Sequence, residues 1–214
     1  MSTLPTHREL CDLAKKWLLR PNSKGGHGCR IALTECRSGF DGEIPDAIGF
    51  RASEDVQTVV IEVKTSRSDF LADARKPHRS SGKGLGMWRY FLCPEGIIVP
   101  EDLPAGWGLL SVRGARRQIV PLAGPAAYST NYREYREALQ RWRQPCDQEA
   151  EMRLLIRVMQ RVSDPDNVRA TLNGAIREQA RLANKCNRLQ EELRHLRLER
   201  IRLHRSEAGE CELS

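Results

Sequence analysis

Residues 58–64 read TVVIEVK, a run dense in β-branched side chains. Such a run predicts a buried strand. Side chains alternate along a strand, so Glu62 and Lys64 share one face, about 6.5 to 7 Å apart, while Ile61 and Val63 point the other way. A buried carboxylate and ammonium are costly unless they are paired or bound to a cation. The face that carries them therefore reads as a site rather than as core.

Other elements can be placed around this strand. A helix is predicted from Thr6 onward, with Leu10, Leu13, Ala14, Trp17 and Leu18 at helical spacing, ended by Pro21, Asn22 and nearby glycines. Strands are predicted at 30–36, at 43–50 with Pro45 near its start, at 88–93 and at 107–112, with RQIVPL pairing beside the last. A charged helix is expected from Ser68 to Arg75, with Phe70, Leu71 and Ala74 inward. Helix, three strands, helix, strand and smaller strands describe an α/β fold with a mixed sheet and packed helices.

Asp46 lies one turn before the Glu62 strand. If the two strands pair as a hairpin, Asp46 comes beside Glu62. Two adjacent carboxylates repel, and one stays protonated unless a cation lies between them. Mg²⁺ suits such a site, because it takes one or two carboxylates plus waters and phosphate oxygens; the Val63 carbonyl offers a further ligand. A bound cation lowers the pKa of water and neutralises charge on a phosphate. Lys64 fits an electrostatic role beside it.

Asp46 after Pro45, followed by Glu62-Val63-Lys64, resembles the PD-(D/E)XK nuclease superfamily. The run EVKTSRSDFLADARKP, then RYFLCPEG and LPAGWGLL, is similar to its MmcB-like branch of DNA-repair-related nucleases and to related phage-carried proteins. The likeness covers residues 6 to 113. It implies a restriction-endonuclease-like core and hydrolysis of DNA phosphodiesters with Mg²⁺ or Mn²⁺. It also implies Asp46 and Glu62 as metal ligands and Lys64 as the catalytic lysine. Glu9 would be the acidic residue of the first helix, and Glu35 an acidic position of the first strand, as catalytic residue and ligand. Ser66, Arg67, Asp69, Lys76 and Tyr90 also match, whereas GLGMW stands where related sequences carry an acidic residue. Glu9 has a second reading, since Thr6-x-x-Glu9 is a capping box.

Arg67, Lys76, Arg79, Lys83 and Arg89 follow the Glu-x-Lys strand and are the expected phosphate contacts. Such residues position a duplex without reading its sequence. The net charge of +7 fits an anionic partner. Trp88 has two readings, a base-stacking ring and a core residue. The other functional reading is a catalytically silent DNA-binding scaffold that recruits a partner through its C-terminal helix.

Beyond residue 125 the pattern turns helical. Tyr132, Tyr135, Leu139 and Trp142 mark one helix; Leu154, Leu155, Val158 and Val162 mark another. From Val168, through Leu172, Ala175, Gln179, Leu182, Cys186, Leu189, Leu193, Leu196 and Arg200 to Leu203, positions step by four and three alternately. That is a heptad seam over roughly 50 Å, predicting a homodimer through residues 165–205, with a hairpin folded back on the preceding helix as the other reading. The expected organisation is a nuclease-like domain at 1–125, a connecting helix at 126–147, a coiled-coil arm at 148–205 and a flexible tail at 206–214.

Seven cysteines with no CxxC pair predict a reduced, cytoplasmic protein; with the resemblance, this means a bacterial or phage-infected cell. His27, Cys29 and Cys36 match no zinc spacing. No apolar leader and no run of ~18 apolar residues is seen, so no membrane role is expected.

Overall fold

The computed structural model describes residues 4–37, 43–52, 56–73, 84–162 and 164–211. The chain forms two compact units, Met1–Val158 and Met159–Ser214. In the first, six strands form one sheet in sequence order: β1 (Ile31–Thr34), β2 (Ala47–Ala52), β3 (Val56–Val63), β4 (Trp88–Pro94), β5 (Trp107–Arg113) and β6 (Gln118–Ala123). β1, β2 and β3 run antiparallel, β3, β4 and β5 are parallel, and β6 returns antiparallel. The fold is α/β with a mixed sheet, as the sequence predicts.

α1 (His7–Leu19) opens with the capping box: Thr6 Oγ1 accepts the Glu9 N–H at 3.3 Å, and Glu9 Oε2 accepts the Thr6 N–H at 2.8 Å. Its apolar stripe, Leu10, Ala14, Trp17 and Leu18, packs on Val59, Ile61, Val63, Tyr90, Leu92 and Leu110. Alternate residues line the other face. There Phe70 of α2 (Arg67–Asp73) meets Phe91, Trp107 and Leu109, while Ile48, Phe50 and Val60 meet Leu154. Glu62 falls on this second face by alternation, two residues beyond Val60.

Several boundaries move. β2 begins at Ala47 rather than at residue 43. Pro45 has no N–H to donate, and Asp46 turns its side chain, not its backbone, towards β3. Leu71 is exposed, because the seven-residue α2 has room for one inward ring, that of Phe70; Ala74 lies outside the described residues. Trp88 is core, its indole N–H donating to the Leu139 carbonyl at 2.9 Å. At the sheet's margin, β6 carries Pro121 opposite Leu110, beside a bulge at Leu109/Leu110.

The expected boundaries at 125 and 148 give way to one at Val158. α3 (Tyr132–Arg141) buries Tyr135 and Ala138 but leaves Tyr132 exposed at its first turn. α4 (Gln148–Val162) buries Leu154 and Glu151 against the sheet. Glu151 Oε1 accepts the Thr58 hydroxyl at 2.9 Å and the Gly86 N–H at 2.7 Å. Burial raises its carboxyl pKa, while those donors pull it back down. Residues 148–158 therefore belong to the sheet domain, not to an arm.

In the second unit, α5 runs from Pro165 to Cys211, about 70 Å at 1.5 Å per residue. Helix replaces the loose tail expected at 206–211. Val168, Leu172, Leu182, Leu189, Leu193 and Leu196 of the predicted seam are all exposed in the single chain.

Candidate active site

The β2–β3 ladder ends with Ala47 opposite Ile61. Just beyond, Asp46 Oδ2 accepts the Val63 N–H at 2.7 Å. The side chain takes a backbone donor that the ladder has released, so the two strands part around it. A residue's N–H and C=O leave a strand on the same edge, so the Val63 carbonyl opens towards β2 as well.

Asp46 Oδ1 lies 3.3 Å from His7 Nε2, and His7 Nδ1 lies 3.5 Å from the Cys11 thiol one helical turn on. The Asp46 carbonyl accepts the Glu35 N–H at 3.3 Å. Glu35 adopts φ 51, a left-handed backbone uncommon for a residue with a Cβ. Such conformations persist where surrounding contacts hold them, and they cluster at functional sites.

Lys64 is 4% exposed, its backbone N–H donating to the Leu92 carbonyl at 2.9 Å. Its ammonium lies 3.9 Å from Asp69 Oδ1, in the first turn of α2. Ser66 caps that turn, accepting the Asp69 N–H at 3.2 Å. Glu62 is 6% exposed and stands opposite Phe91 of β4.

The charges act on one another. Burial raises the Asp46 carboxyl pKa; the Val63 N–H, His7 and Lys64 oppose that rise, and Asp69 adds to it. The Cys11 thiol is pushed up to about 12, by burial first and then by Asp46, Glu35, Asp12 and Glu62. With no metal bound it stays protonated at neutral pH and is not a nucleophile. Asp46, Glu35 and Glu62 thus act on the Cys11 thiol, and Lys64 on Asp46; among the described residues Asp46, Glu35 and Glu62 do not form a compact ligand group.

Other expected site residues lie elsewhere. Glu9 is two positions from His7, about 200° round the helix. Its oxygens are engaged by Thr6 and by Arg117 Nη1, the latter at 2.6 Å, which together hold its carboxyl pKa down to about 2. The capping reading of Glu9 holds, and the structure does not bring it to Asp46. Arg67 forks onto both Asp102 oxygens and reaches the Ile97 carbonyl at 3.2 Å, tying α2 to the β4–β5 connection. Arg89 is buried and donates to the carbonyls of Leu85, Gly86, Gly84 and Pro145 and to Gln144. Both arginines are internal fasteners, not free phosphate contacts. Lys76, Arg79 and Lys83 lie outside the described residues. Tyr90 is fully buried, its hydroxyl accepting the Ala126 N–H at 3.2 Å.

His7, Cys11 and Asp46 each bring a potential ligand atom within 4.8 Å of the others, a grouping sequence reasoning missed. Its signal was present: a His and a Cys four apart, one turn of the same helix. The donors beside Asp46 are its own carboxylate oxygens, the Val63 carbonyl, the His7 imidazole and the Cys11 thiol. The oxygens suit Mg²⁺ or Mn²⁺, while the imidazole and thiol suit a softer ion such as Zn²⁺. Asp69 was matched only as part of a polar turn; α2 places it against Lys64.

No family model and no curated protein matches the chain. A solved structure, the SPO1766 protein of unknown function from Silicibacter pomeroyi, is similar over 64% of this chain and 81% of that one, at 23% identity and a TM-score of 0.33.

Proposed function

We propose that the chain is a metal-dependent DNA nuclease with a restriction-endonuclease-like core, hydrolysing phosphodiesters at Asp46, Glu62 and Lys64. One observation carries this reading: the Asp46 carboxylate is bonded to the N–H of Val63, the residue between Glu62 and Lys64. Three side chains from two strands thereby share one strand end.

Asp46, Glu62 and Glu35, with the Val63 carbonyl, are the groups that would hold Mg²⁺ or Mn²⁺. When bound, the ion supplies Lewis acidity and a more acidic water. The protein's own contribution is electrostatic and positional. Lys64 meets the negative charge that builds on phosphate. Asp69 orients the Lys64 ammonium, and His7 with the Val63 N–H fixes the Asp46 carboxylate.

The exposed, strictly spaced seam of α5 supports a homodimer through residues 165–205. Among the described residues no helix is long and apolar enough to cross a membrane. The cytoplasm of a bacterial or phage-infected cell is the proposed setting, resting on cysteine usage and on the sequence resemblance.

Plasmid DNA incubated with Mg²⁺, Mn²⁺ or EDTA, beside Lys64→Ala, tests the reading. Cutting should require the metal and disappear in the variant. Binding without cutting in either metal would favour the silent scaffold instead.

A further inference from the structure

A second pocket lies at the other end of α1. Its volume is about 650 Å³, and no carboxylate lines it among the described residues. Arg30, Arg51, Ser23, Ser129, Thr130 and Tyr132 are among the residues that line it. Tyr132 is 75% exposed at the rim. Two arginines, several hydroxyl residues and, among the described residues, no acid make a pocket suited to an anion. An open aromatic face beside it is what a base stacks on.

The floor explains why helix α1 does not spoil this site with its negative end. Most of the carbonyls there are already used: Arg20 N–H takes those of Lys16 and Trp17, Cys29 N–H that of Leu18, and Gly28 N–H that of Arg20. Gly28 has φ +69, and a Cβ there would stand 2.3 Å from Asn22 Oδ1. Asn22 in turn accepts from Arg51 Nη1 at 3.5 Å. Glycine at position 28 thus lets the capping loop close beneath the guanidinium.

The pocket's position relates it to the Asp46 end. β2 runs from Ala47 beside that end to Arg51 and Ala52 beside the pocket, and five residues span about 17 Å. α1 spans about 20 Å between His7 and Leu19. Both sites therefore lie along α1, at its two ends.

We propose that this pocket binds a nucleoside phosphate, with Arg30 and Arg51 on the phosphate and Tyr132 against the base. Taking that nucleotide as part of a strand running to Asp46 rests on the nuclease reading; the anion pocket does not. Held there, a strand is anchored one length of α1 from the point of hydrolysis.

The test is fluorescence anisotropy on the full chain in EDTA, where no hydrolysis occurs. The probes are a labelled ten-nucleotide oligothymidylate with a 5′-phosphate, the same strand with a 5′-hydroxyl, and unlabelled thymidine monophosphate as competitor. The double variant Arg30→Gln/Arg51→Gln should weaken binding at least tenfold, and Tyr132→Ala several-fold. Preference for the 5′-phosphate would identify a strand end, equal binding of both strands an internal phosphate, and efficient competition by the mononucleotide a free nucleotide; each supports the pocket. Wild-type affinity in both the double variant and Tyr132→Ala, or no binding of any probe to wild type, would overturn it. Metal-dependent plasmid cutting, scored separately, reports on the nuclease reading alone.

Discussion

Asp46 accepts the N–H of Val63 at 2.7 Å, so a side chain closes the β2–β3 ladder where the backbone stops. Asp46→Asn retains an oxygen that can accept this bond but loses the charge. The fold raises the Asp46 pKa, which means it favours the neutral carboxyl. Ionised Asp46 therefore costs stability once pH rises through the folded-state value. Asp46→Asn should melt higher than wild type at pH 8, and the gap should vanish below the unfolded pKa, about 3.9. Calorimetric titration should show Mn²⁺ uptake by wild type and a large loss in this variant.

His27 is buried among Trp17, Trp88, Tyr90 and Tyr135, with no hydrogen-bond partner at either ring nitrogen. Burial lowers its pKa from 6.5 to about 4. The unfolded chain then binds a proton that the folded one refuses. Stability present above pH 6.5 is lost as pH falls towards 4, by about 3 kcal/mol in all. His27→Phe should flatten that limb of the melting-temperature profile between pH 6.5 and pH 4.

Arg89 joins β4 to the segment before α4 through five acceptors. Arg89→Met leaves those carbonyls buried without their donor. Urea denaturation should show a loss on the order of 3 kcal/mol. Arg67→Ala, at an exposed pair, should change the midpoint far less and leave DNA affinity in EDTA unchanged.

A chain ending at Val158 keeps Leu154 and the Glu151 bonds; a chain ending at Asp147 loses both. The longer truncation should be folded and monomeric by light scattering, the full chain dimeric. The shorter one should be markedly less stable. A full chain that stays monomeric would remove the role proposed for α5.

The sheet was legible because its strands carry dense β-branched and aromatic runs of local meaning. The charges of Glu62 and Lys64 marked the site because they interrupt such a run. Glu151 was not legible as a fastener, since its partners Thr58 and Gly86 are distant in sequence and nothing near residue 151 announces them. Arg67 and Arg89 misled for the same reason: a basic residue near a site looks alike whether it meets phosphate or a carbonyl of its own chain. His7 and Cys11 were readable by spacing, yet their relation to Asp46 depends on α1 crossing the sheet.

Pro121 has a bearing on how this protein meets other chains. β6 forms one margin of the open sheet, and midway along it there is no amide hydrogen to offer a newcomer. The adjoining bulge twists the ladder beside it. Such a margin is a poor template for fibre growth. Addition of a foreign strand along β6 is therefore disfavoured by the chain's own backbone chemistry.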